Sequence, residues 1–102
     1  MPEPPYYAVI FTSRRTEGDN GYAERTAEMS KLAAEQDGYL GEESARDENL
    51  GITVSYWRDE EAIAGWRRNV DHTESRRRGR ADWYEEFEVR VARVERSYGF
   101  KR

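Results

Sequence analysis

The sequence contains no cysteine, a single histidine, and only three prolines, all of them among the first five residues. Without thiols it forms no disulfide, holds no thiolate metal site and has no thiol nucleophile. Long apolar runs are missing too. No window approaches the roughly 20 residues that a membrane-spanning helix needs, and Met1-Pro2-Glu3-Pro4-Pro5 has neither the basic nor the apolar stretch of a secretory signal. No membrane partner is expected, and the cytoplasm is the simplest location. Nor is there a Ser-His-Asp order, a glycine loop for phosphates or a metal-spaced set of histidines and carboxylates. A surplus of positive charge is also absent: 17 Lys and Arg stand against 21 Asp and Glu, for a net charge of −4. Such a chain repels a phosphate backbone, which argues against a nucleic-acid partner.

What remains is 102 residues, 37% of them charged and 36% hydrophobic, with a mean hydropathy of −1.12. The core of so polar a chain is small. Tyr, Trp and Phe nonetheless make up 13% of the residues, which separates it from disordered chains and supplies large buried areas per side chain. A thin core is relieved by sharing it with a second copy, so a homodimer is expected. Residues 1–5 read as a flexible leader and 6–102 as one domain.

From Tyr6 the pattern is β, with Tyr7, Val9 and Phe11 on one face and Tyr6, Ala8 and Ile10 on the other. Both faces are apolar, which predicts a central strand covered on both sides, fraying into the polar Thr12-Ser13-Arg14-Arg15. A turn follows, with Asp19 or Asn20 as candidate cap. Tyr22 to Gln36 predicts a helix whose stripe is Tyr22, Met29, Leu32 and Ala33, stopped by Gly38 at the C′ position. Tyr39 to Arg46 predicts an edge strand. Leu50 to Trp57 alternates cleanly, and the short connection makes the two a hairpin. Asp59 is placed to cap a second helix, with Glu60 and Glu61 at its positive end and Ile63, Trp66 and Val70 as its buried stripe. Trp83 to Glu95 returns to strand, and Tyr98-Gly99-Phe100 is an aromatic tail that could pack onto the domain or a partner. The order β-α-β-β-α-β predicts an α+β, ferredoxin-like fold: a four-stranded antiparallel sheet with two helices on one face. Two such sheets packed back to back would make a dimeric α+β barrel.

All three tryptophans and the histidine lie between Tyr56 and Arg90. Trp57 and Trp83 bracket the second helix and suit the walls of a flat pocket or a dimer interface. Trp66 sits on an apolar stripe, where core packing competes with a site role. Ser13 and Tyr84 are candidate hydrogen-bond donors to a ligand. The cluster Arg76-Arg77-Arg78-Gly79-Arg80 suits an anionic group on a substrate, with Arg80 as a binding residue. It equally suits a solvated face paired with Glu85, Glu86 and Glu88.

The run Tyr56-Trp57-Arg58-Asp59-Glu60-Glu61-Ala62-Ile63, then Trp66, His72, Gly79-Arg80 and Trp83-Tyr84, resembles the antibiotic biosynthesis monooxygenase family of dimeric α+β barrels. The resemblance implies one of two chemistries. In the first, a planar aromatic molecule of the polyketide or quinol kind is oxidised by O2 with no cofactor and no metal. In the second, haem is bound through a second-helix histidine and degraded. On the first reading Trp66 and His72 are the catalytic pair, with His72 moving a proton. Trp57, Trp83, Tyr84, Arg80 and Ser13 then bind substrate. On the second, His72 ligates haem iron. The family's partner asparagines have no counterpart here: none lies between Tyr6 and Arg15, and Ala62-Ile63-Ala64-Gly65 precede Trp66. That absence favours a third reading, a non-catalytic ligand-binding or stress-related dimer, with His72 as a helix-end residue facing the dipole or paired with Asp71 or Glu74.

Overall fold

The computed structural model describes residues 2–18, 21–71 and 83–102. Six elements follow one another: β1 (Tyr6–Arg15), α1 (Tyr22–Ala34), β2 (Tyr39–Arg46), β3 (Gly51–Trp57), α2 (Glu60–Asp71) and β4 (Tyr84–Val94). The strands form one antiparallel sheet in the order β2-β3-β1-β4. This is the expected ferredoxin-like arrangement, with β1 central and β2 at an edge. The first strand does not fray at Thr12: pairing with β4 carries it through Arg15, across a bulge between Arg14 and Arg15.

The core lies between the helices and one face of the sheet. Val9 of β1, Trp57 of β3, Ala33 of α1 and Ile63 of α2 form a buried cluster, with Tyr7, Tyr39, Ala62 and Trp66 packed against it. Both helices therefore cover the same face, the one bearing the odd-numbered residues of β1. Trp57 is the largest fully buried side chain, and its Nε1 donates to Ser55 Oγ at 2.9 Å. The neighbouring hydroxyl thus satisfies the one polar atom that indole burial would otherwise strand.

Helix α2 starts where the residue types predicted. Asp59 Oδ1 accepts the Ala62 N–H at 2.8 Å, and Glu60 and Glu61 stand in the first turn. Helix α1 also starts at Tyr22 as predicted, but its cap differs: Gly21 is the N-cap, in the left-handed region at φ 85°, with no side-chain capping bond. Glu35 caps its C-terminus, so Gly38 lies beyond the C′ position. Gly38 is needed for another reason. It has φ 88°, and a Cβ there would meet Ala62 Cβ at 2.5 Å, so only glycine lets the α1–β2 turn approach α2 this closely. The Gly38 carbonyl accepts the Arg58 N–H at 2.8 Å. The Arg58 guanidinium spans Asp37 at 3.1 Å and Asp59 at 3.2 Å, tying that turn to the start of α2.

The back of the sheet carries Tyr6, Ala8 and Ile10 beside Ile52, Val54 and Tyr56 by register. Ile52 there is 40% exposed, and the Tyr6 and Tyr56 rings meet edge to face at 6.0 Å. The aromatic tail does not fold back onto the domain: Tyr98 and Phe100 are 95% and 87% exposed. Glu86 and Glu88, expected to serve the arginine cluster, bond Arg14 and Arg90 respectively, each at 3.0 Å. The cluster Arg76 to Arg80 itself lies outside the described residues.

Candidate active site: an aromatic cleft on the helix side of the sheet

The sheet register sorts the predicted site residues. Trp57 pairs with Tyr7, at one end of β1. Tyr84 pairs with Arg15, at the other. The two positions are eight residues apart, about 27 Å at the usual rise of an extended strand. Trp57, Trp83 and Tyr84 therefore do not wall one pocket. Trp57 is core, with no surface to offer a ligand.

Trp66 leans on Trp57, with ring centroids 5.3 Å apart and planes 31° apart. It is half-buried, but its Nε1 is fully enclosed and has no hydrogen-bond partner among the described residues. A buried donor without an acceptor costs about 1–3 kcal/mol, so folding tolerates it only where something else is gained.

At the far end, four half-buried rings form a continuous group. Phe11 stacks on Phe87 at 5.5 Å and meets Tyr84 edge-on at 5.5 Å. Tyr84 meets Phe87 at 5.5 Å and Tyr22 at 5.7 Å. Trp83 is buried, edge-on to Tyr22 at 5.9 Å, and its carbonyl accepts from Thr16 N at 2.9 Å and Arg15 Nε at 3.2 Å. Beyond Phe87 the helix-side face of β4 stays open: Val89 and Val91 are 47% and 48% exposed. These residues make an apolar floor beside the helices. Outside α1, a shallow cavity of about 200 Å³ is lined by Gly21, Glu24, Arg25, Glu28 and Trp83.

Two cations sit at the Arg15 end. Arg15 lies over the Tyr22 ring, its Cζ 3.5 Å from the centroid, and Arg46 Cζ is 5.9 Å from the same ring. Both charges favour the ionised form of Tyr84, but burial and the Tyr22 hydroxyl outweigh them and push its phenol well above the ordinary tyrosine range. Tyr84 is thus a neutral donor at physiological pH. Ser13, expected to reach a ligand, is buried and accepts a hydrogen bond from Arg46 Nη2.

Of the predicted set, then, Tyr84 and Ser13 stand at the basic end, Trp83 beside them and Trp66 against the core. His72 and Arg80 lie outside the described residues. Arg46, Tyr22, Phe11 and Phe87 were missed. The available signal was the hairpin: pairing β2 with β3 sets Arg46 opposite Gly51, and an arginine facing a residue without a side chain has room to fold over the sheet.

Residues 5–78 match the family profile described as antibiotic biosynthesis monooxygenase. The chain belongs to that family. It is 50% identical over 101 residues, 98% of this chain and 89% of the other, to the uncharacterized protein YqjZ of Bacillus subtilis. Its fold is similar to that of SnoaB, a cofactor-independent oxygenase from Streptomyces nogalater. Two SnoaB structures give TM-scores of 0.79 and 0.77 at 12% identity, over 92% of this chain and 97% of SnoaB. A putative antibiotic biosynthesis monooxygenase from Bacillus cereus gives 0.63 at 16% identity, over 95% of this chain and all of that one. Family membership supports a monooxygenase-like or small-molecule-binding role. No helix among the described residues is long and apolar enough to cross a membrane.

Proposed function

We propose that this chain is a cytoplasmic, homodimeric, monooxygenase-like protein that takes a planar aromatic molecule of the polyketide or quinol kind onto its helix-side cleft and oxidises it with O2, without a metal or cofactor. The folded unit is residues 6–102, and the half-exposed back of the sheet around Ile52 is where the second copy packs. The observation that carries the reading is the group of half-buried rings on the helix side of the sheet, Phe11, Tyr84 and Phe87, which gives a flat aromatic ligand its floor beside the open face of β4. The resemblance to SnoaB, a cofactor-independent oxygenase, agrees with this chemistry. His72 would carry the proton.

The test is O2 uptake with a dihydroxynaphthalene or anthrone as reductant. Saturable uptake by the purified chain, cut at least tenfold in Phe87→Ala, supports the proposal. Binding without any O2 uptake would replace it with the non-catalytic reading. The latter has one observation in its favour: β1 carries no asparagine, and Ala62 to Gly65 precede Trp66. Haem fits less well. It would need His72, which lies outside the described residues, as its axial ligand, and β1 offers no asparagine to help it.

A further inference from the structure

Arg46 ends an edge strand, where an arginine ordinarily extends into solvent. Here it folds back across the sheet while remaining exposed. Its guanidinium lies over the Cα of Gly51, in the space a Cβ would occupy, and its Nη2 bonds the buried Ser13 hydroxyl. Gly51, Ser13 and Phe87 are cross-strand neighbours on β3, β1 and β4. The folded-over arginine therefore brings its charge onto the helix-side face, beside the aromatic floor.

That charge has no carboxylate partner among the described residues. Arg14, Arg25, Arg58 and Arg90 each meet one at 3.0 to 3.2 Å, whereas Arg46, among the described residues, hydrogen-bonds the Ser13 oxygen and lies near the Tyr22 ring. Its neighbour Asp47 feels its charge but spends its Oδ1 on the Asn49 and Leu50 N–H groups, at 2.7 and 2.8 Å. A guanidinium has five N–H donors in a planar fork. Laid against an apolar floor with a second guanidinium across the same tyrosine ring, it invites an anionic oxygen.

We propose that Arg46, held by Ser13 over Gly51, is the anion-recognition group of the cleft, and that the ligand is an aromatic carboxylate whose ring lies toward Phe11 and Phe87. This rests on the reading of the cleft as a small-molecule site and adds the charge of its ligand. Ser13 is a positioning residue, acting through Arg46.

The test uses a matched pair, anthraquinone-2-carboxylate and anthraquinone-2-carboxamide, titrated into the full chain and followed by tryptophan fluorescence. We expect the carboxylate to bind at least tenfold more tightly than the carboxamide. The preference should vanish in Arg46→Gln and persist in Arg14→Gln, whose arginine pairs with Glu86 on the other face. Gly51→Ala is the second variant: it keeps the charge but places a methyl where the guanidinium lies, and it too should lose the preference. Circular dichroism confirms folding of each variant. Equal binding of the two compounds, or a preference retained in Arg46→Gln or Gly51→Ala, overturns the Arg46 proposal and leaves the cleft standing. If neither compound binds, the cleft reading falls and Arg46's role falls with it.

Discussion

Trp66 and Trp57 lie 5.3 Å apart with ring planes 31° apart, yet among the described residues only one of the two indoles has a hydrogen-bond acceptor. Trp57 donates to Ser55 at 2.9 Å, while the enclosed Trp66 N–H finds nothing among the described residues. The first tryptophan is finished by the fold. The second is left with a buried donor that the described residues do not satisfy.

The two should therefore respond differently to substitution. Trp57→Ala opens the centre of the core and should cost about 3–5 kcal/mol, measured by urea denaturation. Trp66→Phe removes a donor whose burial costs about 1–3 kcal/mol, which offsets part of the lost apolar contact. Its stability should stay within about 1 kcal/mol of the parent. A larger loss in Trp66→Phe than in Trp57→Ala would contradict the assignment.

Two glycines with similar backbones give a second test. Gly38 and Gly21 have φ 88° and 85°, but a Cβ on Gly21 meets nothing within 4 Å, whereas one on Gly38 meets Ala62. Left-handed backbone costs a side chain about 1–2 kcal/mol. Gly21→Ala should lose no more than that. Gly38→Ala should lose at least about 1 kcal/mol more, as α2 is pushed off the turn. Equal losses by urea denaturation would mean that the contact with α2 is unimportant.

Acid should loosen the start of α2. The Ala62 N–H first, and then Arg58, hold the Asp59 carboxyl below the usual carboxylate range. A depressed folded-state pKa contributes stability that is present above the unfolded value, about 4. That stability is lost as pH falls through the folded one. Asp37 and Asp47 are lowered in the same way, so the melting temperature should drop steadily below about pH 4. Asp59→Asn keeps a capping oxygen that does not titrate. Its loss on acidification should be shallower than the parent's, and identical slopes would remove Asp59 from the account.

The back of the sheet predicts assembly. Ile52→Asp puts a charge on the half-exposed apolar face, where burial against a second sheet would be costly. Light scattering should show a dimer for the parent and a monomer for the variant. A parent that is monomeric at micromolar concentration would refute the dimer.

The strands and α2 were legible because alternation and capping are local. Asp59 announces its helix, and β2 runs from Tyr39 to Arg46 as its residues suggested. The start of α1 at Tyr22 was legible but its cap was not, because Gly21 caps through backbone conformation and not through a side chain. Nor was the division of the tryptophans. Periodicity gives a residue its face, but only the register shows that Trp57 and Tyr84 stand at opposite ends of β1. Arg46 reads as an ordinary surface charge until the strand pairing sets Gly51 opposite it. A site assembled from strand ends, one helix start and a glycine's empty space is a tertiary fact.

The most direct measurement is a crystal structure of the chain with a bound planar quinone or phenol. The account predicts the ligand ring on the Phe11–Phe87 floor, its carbons in van der Waals contact with those side chains at about 3.5–4.0 Å. A ligand bound elsewhere, with the Phe11 and Phe87 rings uncovered, would contradict it.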